Sequence, residues 1–222
     1  VRKMDARLKT PFNCIISGAS KTGKTTLVNN LLSVKRTLFS DPPEYVLLIY
    51  KYNQDIYTQM RENNLISELM SIDNDNISYE KLVEKVSPFK DKHGSLIIFD
   101  DAMTELSDKF EQVFTNLSHH QNCSVIFLTQ NLFYKDRAYR TMSLNAHYMF
   151  LMRNERDKQQ IATLAKQFSP GNNQFVIQSY IDATTYPYSY LLLDFSPESP
   201  CVLKLRSKIF PHEFPLTLYI EK

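Results

Sequence analysis

Short apolar runs recur along the chain, separated by stretches in which apolar residues return every three or four positions. Residues 12–17, Tyr45 to Tyr50 (YVLLIY), Ser95 to Phe99 (SLIIF), Val125 to Thr129 (VIFLT) and Tyr148 to Met152 (YMFLM) read as strands. Two further runs, 189–195 and 201–206, follow the last legible helix. Continuous rather than alternating apolar character indicates strands buried on both faces, which means a mainly parallel central sheet flanked by helices. Leu27, Val28, Leu31 and Leu32 form one helical face behind the first strand. Phe110, Val113, Phe114 and Leu117 form a second at i, i+3, i+4, i+7, and Ile161, Leu164, Ala165 and Phe168 a third. The third predicts a helix over 155–168 that Ser169-Pro170-Gly171 terminates, and the more polar stretch 51–90 predicts short helices. The pattern as a whole predicts one doubly wound α/β domain over 1–222 with a partly antiparallel C-terminal extension. An arm at 1–10 and an apolar, proline-punctuated tail at 207–222 flank it.

Composition narrows the class. A hydrophobic content of 43% is enough for a sizeable core. The formal net charge is only +2, so there is no global basic signature and any DNA contact needs a local patch. Cys14, Cys123 and Cys201 are scattered, with no C-x-x-C pair, which argues against a disulfide framework and a zinc site. His119-His120 is poor metal-ligand spacing, and a position near a helix C-terminus accounts for it. No apolar run approaches eighteen residues, and the first ten residues carry no signal core. The expectation is a soluble, intracellular protein without a transmembrane segment.

Glycine usage carries the first chemistry. Only 4 glycines occur in 222 residues, where average usage predicts roughly fifteen. Two of them, Gly18 and Gly23, stand five apart in Gly18-Ala19-Ser20-Lys21-Thr22-Gly23-Lys24-Thr25, followed by Thr26. This fits G-x-x-x-x-G-K-[ST] in full, after a strand and before a helix, which is the context a phosphate-binding loop requires. The amides of Gly18 to Thr26 would cradle the phosphates of a nucleoside triphosphate, Lys24 would reach the β- and γ-phosphates, and the Thr25 hydroxyl would ligate Mg²⁺.

The strand ending at Phe99 runs into Asp100-Asp101. An acid at the C-terminal end of a buried strand suits the second Mg²⁺ contact, so Asp100 takes that role. Asp101 then stands where NTP-hydrolysing motors keep a group that orients the attacking water, although paired acids after a strand also serve as helix N-caps. Thr129-Gln130-Asn131 ends the next strand, and the Gln130 amide suits a γ-phosphate sensor. A GTPase-like switch would need D-x-x-G, but Met103 stands three residues after Asp100. Asn154-Glu155-Arg156-Asp157 imitates N-K-x-D without the lysine and reads as an N-cap, with Asn154 at the cap. A P-loop nucleotide kinase would normally omit the second acid. A weakly hydrolysing nucleotide-binding assembly module is the remaining alternative to a motor.

With these residues in place, the order GASKTGKT, SLIIFDD, LSHHQNCSVIFLTQNLF and SLNAHYMFLMRNERDKQQIATLAKQFSPG resembles the genome-packaging ATPases of Maverick/Polinton elements and adintoviruses. Those group with the poxvirus and virophage packaging ATPases in the FtsK–HerA superfamily of RecA-like P-loop NTPases. The resemblance runs from about residue 10 to 172 and is most specific from Ser118 to Phe133. It implies a homo-oligomeric ring, a pentamer or hexamer, that hydrolyses ATP to pump double-stranded DNA into a capsid. The implied partners are DNA and capsid or portal-vertex proteins, at the site of virion assembly or within the virion. In that pattern Asp100 and Asp101 are the Walker B pair and Gln130 the sensor. The superfamily usually has Asp-Glu there; Asp101 is shorter by one methylene, and Glu105 is the fallback base.

Ring ATPases complete the site with an arginine from a neighbouring subunit. Arg137, Arg140, Arg153 and Arg156 are the candidates, with Arg140 preferred. Lys204, Arg206 and Lys208 alternate in CVLKLRSKIF, so a strand there would put all three on one face as a basic stripe, either facing phosphate or protecting a solvated edge. Lys51, Lys135 and Arg137 are further candidates for DNA contact.

Overall fold

The computed structural model describes residues 5–72, 77–101, 113–133, 137–155 and 158–221. Nine strands form one sheet among these residues: β1 Asn13–Ser17, β2 Tyr45–Tyr50, β3 Glu68–Ser71, β4 Ser95–Asp100, β5 Cys123–Thr129, β6 Tyr148–Met152, β7 Tyr190–Asp194, β8 Leu205–Ser207 and β9 Thr217–Leu218. Their order is β3-β2-β4-β5-β1-β6-β7-β8-β9. The first six pair in parallel and the last three return antiparallel. This is the mostly parallel α/β architecture of a P-loop NTPase.

Neighbouring residues of each central strand face opposite layers, which is why the runs are continuously apolar. Ile15, Ile97, Val125 and Phe127 join one buried cluster, while Ile16, Ile98, Ile126 and Leu128 join another. Helix α1 (Lys24–Ser33) covers the second cluster through Leu27, Val28, Leu31 and Leu32. The opposite cluster receives the π-helical turn Val113–Leu117 and, after α2 (Lys35–Leu38), α3 (Asp55–Glu62) and α4 (Tyr79–Val86), three later helices. These are α5 (Arg137–Leu144), α6 (Lys158–Phe168) and α7 (Asn173–Ala183).

Three elements differ from expectation. Strand β3 lies inside the stretch 51–90, for which short helices and no strand are named above. Helix α7 follows the helix taken as the last, capped by the Asn172 side chain on the Phe175 amide at 3.3 Å. The strand expected over 201–206 is instead a 3₁₀ turn, Cys201–Leu203, followed by the short β8. The basic stripe is corrected with it: Arg206 is buried at 1% exposure and ion-paired to Asp194 at 3.0 Å. Lys204 donates to the Ser196 carbonyl, and only Lys208 is exposed. Without strand alternation across 204–208, no common face exists.

Candidate active site

The loop between β1 and α1 is built as its glycines predict. Gly23 adopts φ +95°, a left-handed conformation costly for a side chain. At Gly18 a Cβ would come within 2.6 Å of the Thr22 hydroxyl and 2.8 Å of Met152 Cβ, so packing also demands glycine. The Gly18 amide donates to the Thr129 carbonyl at 3.1 Å and ties the loop to the end of β5. The Thr22 hydroxyl donates to the Ala19 carbonyl at 2.8 Å. Lys24, 8% exposed, donates to the carbonyls of Gly18 (2.8 Å) and Ala19 (3.0 Å), so its ammonium is held across the loop. Burial lowers its pKa, while the charges of Asp101 and Asp100 oppose that shift.

Asp100 closes β4 and is buried. Its Oδ2 accepts from the Thr25 hydroxyl at 3.0 Å and from the Tyr57 hydroxyl at 2.7 Å. Tyr57 accepts in turn from Gln54 Nε2 at 2.9 Å. Burial raises the Asp100 pKa; the two hydroxyl donors and Lys24 pull it down, and Asp101 pushes it up. Burial beside the carboxylate also drives the Tyr57 phenol well above its usual range. The Thr25 hydroxyl with the Asp100 carboxylate is a hard-oxygen pair that fits Mg²⁺, which characteristically takes one or two carboxylates plus substrate phosphates. Among the described residues there is no cluster of three or more His, Cys, Asp or Glu for an all-protein metal site.

Asp101 has φ +54°, and Gln130 Nε2 stands 3.4 and 3.5 Å from its two carboxylate oxygens. Both border a cavity of about 490 Å³ together with Ser20, Lys21, Gly23, Lys24, Thr25, Thr26, Gln54, Asp55, Ile56, Asp100 and Tyr188. A second cavity of about 350 Å³ adjoins it at Lys21 and Tyr188, and Ala19 and Thr22 line that one. Three non-glycine residues with left-handed backbone, Lys21, Asp101 and Tyr188, border the first cavity. Such conformations cluster at ligand sites because the surrounding structure must hold them in place.

The sequence reading thus placed Lys24, Thr25, Thr26, Asp100, Asp101 and Gln130 where the structure brings them together. It missed Gln54, Tyr57 and Tyr188. Tyr57 is the third residue of α3, which follows the end of β2 after a short connection, a weak signal without the fold. Arg140 is exposed on α5 and does not border the cavity. Arg153 donates to the Thr185 carbonyl at 3.3 Å and pairs with Glu155. Glu105, Phe110, Lys135 and Arg156 lie outside the described residues, as does the side chain of Arg137. The described part of the 155–168 helix begins at Lys158. Asn154 lines the second cavity, with its amide on the Tyr180 hydroxyl at 2.8 Å.

A family model described as Poxvirus A32 protein matches residues 3–174. The DNA packaging protein OPG160 of Variola virus and that of Vaccinia virus (strain Copenhagen) are each 32% identical over 130 residues, 55% of this chain and 47% of theirs. The protein of the same name from Monkeypox virus is 31% identical over 130 residues, 55% of this chain and 42% of its own. The chain therefore spans about half the length of the curated relatives it matches. Among solved structures, the assembled ATPase EscN of the enteropathogenic E. coli type III secretion system aligns at TM-score 0.45 and 12% identity, over 67% of this chain and 44% of that one.

Proposed function

The chain belongs to the Poxvirus A32 protein family, and from that premise we propose that it is an ATP-hydrolysing motor that moves double-stranded DNA into a viral capsid. The observation that carries this reading is the convergence of Lys24, Thr25, Asp100, Asp101 and Gln130 on one cavity of about 490 Å³. Loop amides and Lys24 bind and orient the triphosphate. Mg²⁺ held by Thr25 and Asp100 would supply charge neutralisation at the phosphate oxygens. Asp101 accepts the proton of the attacking water, and the Gln130 amide, at hydrogen-bond reach of Asp101, positions that water.

Among the described residues the cavity lining contains no arginine. That supports completion by a neighbouring subunit in a homo-oligomeric pentamer or hexamer, with Arg140 as the inserted cation. Double-stranded DNA and capsid or portal-vertex proteins are the partners, at the site of virion assembly. No described helix is long and apolar enough to cross a membrane. The finer kinship with Maverick/Polinton and adintovirus ATPases, within the FtsK–HerA superfamily, rests on the Ser118–Phe133 block.

The test is ATPase turnover with and without double-stranded DNA at several protein concentrations. The expected result is hydrolysis that rises with protein concentration and with DNA, and its loss in Lys24→Ala. A wild-type protein that assembles yet never hydrolyses ATP overturns the motor and leaves a nucleotide-binding assembly module.

A further inference from the structure

Tyr188 has no part in the chemistry above, yet it occupies a conspicuous place beside the phosphate loop. The residue is 67% exposed, and its backbone is held at φ +64°, a conformation that side-chain-bearing residues rarely adopt. The ring lies against the loop: a Cβ on Gly23 would stand 2.8 Å from Tyr188 Cδ1. Gly23 therefore serves two purposes, turning the chain and admitting the tyrosine. The ring also stands where the two cavities meet. On one side lie Lys24, Thr25 and Asp100; on the other lie Ala19, Pro187, Asn154 and Glu155.

The fold explains how Tyr188 arrives there. Strand β7 runs antiparallel to β6, with Tyr190 opposite Met152, so the loop entering β7 lies at the edge where the parallel strands end. A ligand with an anionic end and a flat end would leave its phosphates on the loop and lay its ring on this tyrosine. We infer that Tyr188 is the platform on which the nucleobase of the bound nucleoside triphosphate stacks, with the second cavity receiving the base edge. Aromatic stacking suits this role because every base presents a π-face and the tyrosine is already exposed. The inference rests on the proposed nucleotide site and adds its base-binding half, for which the sequence holds no motif.

The chain contains no tryptophan, so Tyr188→Trp would introduce a single indole reporter. ATP is expected to quench its emission, and inorganic tripolyphosphate, which has no base, is expected to leave it unchanged. In calorimetric titrations Tyr188→Ala should weaken ATP binding about 5- to 150-fold, the range for loss of one base stack, with tripolyphosphate affinity unchanged. Tyr188→Phe should retain ATP affinity. Because the ring is exposed, these variants remove no core packing. Equal affinity losses for ATP and tripolyphosphate in Tyr188→Ala, or no loss for either, overturn the platform and leave the phosphate site standing. If wild-type protein binds neither ligand, the nucleotide site itself fails and the platform with it.

Discussion

Two hydroxyls converge on one oxygen of Asp100, from Thr25 at 3.0 Å and from Tyr57 at 2.7 Å, and only the first belongs to the recognised loop. Tyr57 therefore acts through Asp100 as a positioning residue, tying α3 to the proposed metal ligand. Tyr57→Phe keeps the buried ring and deletes the donor. Partners of this kind typically affect metal affinity by about 10- to 100-fold. The Mg²⁺ concentration for half-maximal nucleotide binding should rise about 10-fold, with binding in EDTA unaltered; an unmoved Mg²⁺ midpoint would reduce Tyr57 to a packing residue. The Asp100 carboxyl gives a second expectation. Burial raises its pKa in the folded state, so between the unfolded and the folded value the folded protein holds a proton that the unfolded chain has released. Stability from this group is present below about pH 4 and is lost as pH rises through the folded value. Asp100→Asn should thus raise the melting temperature of the metal-free protein at neutral pH, and the gain should vanish in acid. At this scale the sequence exposes residues with fixed spacing or at a strand tip, such as Lys24 and Asp100. Tyr57 and Tyr188 escape it because only the packing of α3 and the reversal into β7 bring them to the loop.

The elements most legible in the sequence are the buried parallel strands, whose unbroken apolar runs follow from coverage on both faces. The antiparallel edge is less so. CVLKLRSK alternates apolar and basic residues as an exposed strand would, but Pro200 starts a 3₁₀ turn that shifts the phase. Arg206 then turns inward because its partner, Asp194, lies across the sheet on β7 and twelve residues away. The guanidinium also donates to the Leu203 carbonyl at 2.6 Å, while Asp194 accepts from the Ser196 amide at 3.0 Å and the Ser199 hydroxyl at 2.8 Å. Both members are 1% exposed, so removing one strands the other's charge. Arg206→Met should destabilise by about 3–5 kcal/mol in urea unfolding, whereas Lys204→Met should cost less than about 1 kcal/mol. A DNA-facing stripe would instead make both substitutions mild for stability and harmful to DNA binding. Helix α7 was readable: Val176, Tyr180 and Ala183 recur at helical spacing after the Asn172 cap. The Ser169-Pro170-Gly171 break ends α6 without ending the helical layer.

Across the whole molecule, strand order decides which loops meet. The chain leaves β1 for one side of the sheet through β2 to β5, then crosses to β6 on the other side, so β1 lies at a topological switch point. Ligand sites form at the carboxyl ends of strands at such a point. Strand β5 lies between β1 and β4, which puts Gln130 between the phosphate loop and the Asp100-Asp101 tip. Lys24, Thr25, Asp100, Asp101 and Gln130 therefore reach one edge, and among the described residues no arginine lines the cavity there. Arg140, exposed on α5 away from that cavity, suits donation to a neighbour. A cation contributed in trans to phosphoryl transfer is worth about 10³–10⁵ in rate in other NTPases, so Arg140→Ala should be nearly inactive alone. Lys24→Ala should be inactive as well, through its own loop. In a mixed ring, an Arg140→Ala subunit retains an intact loop and can receive Arg140 from a Lys24→Ala neighbour. Turnover measured across mixing ratios should therefore exceed both parents and peak near equal proportions. If Arg140 served its own subunit, neither variant could repair the other, and turnover would stay at the parental level at every ratio.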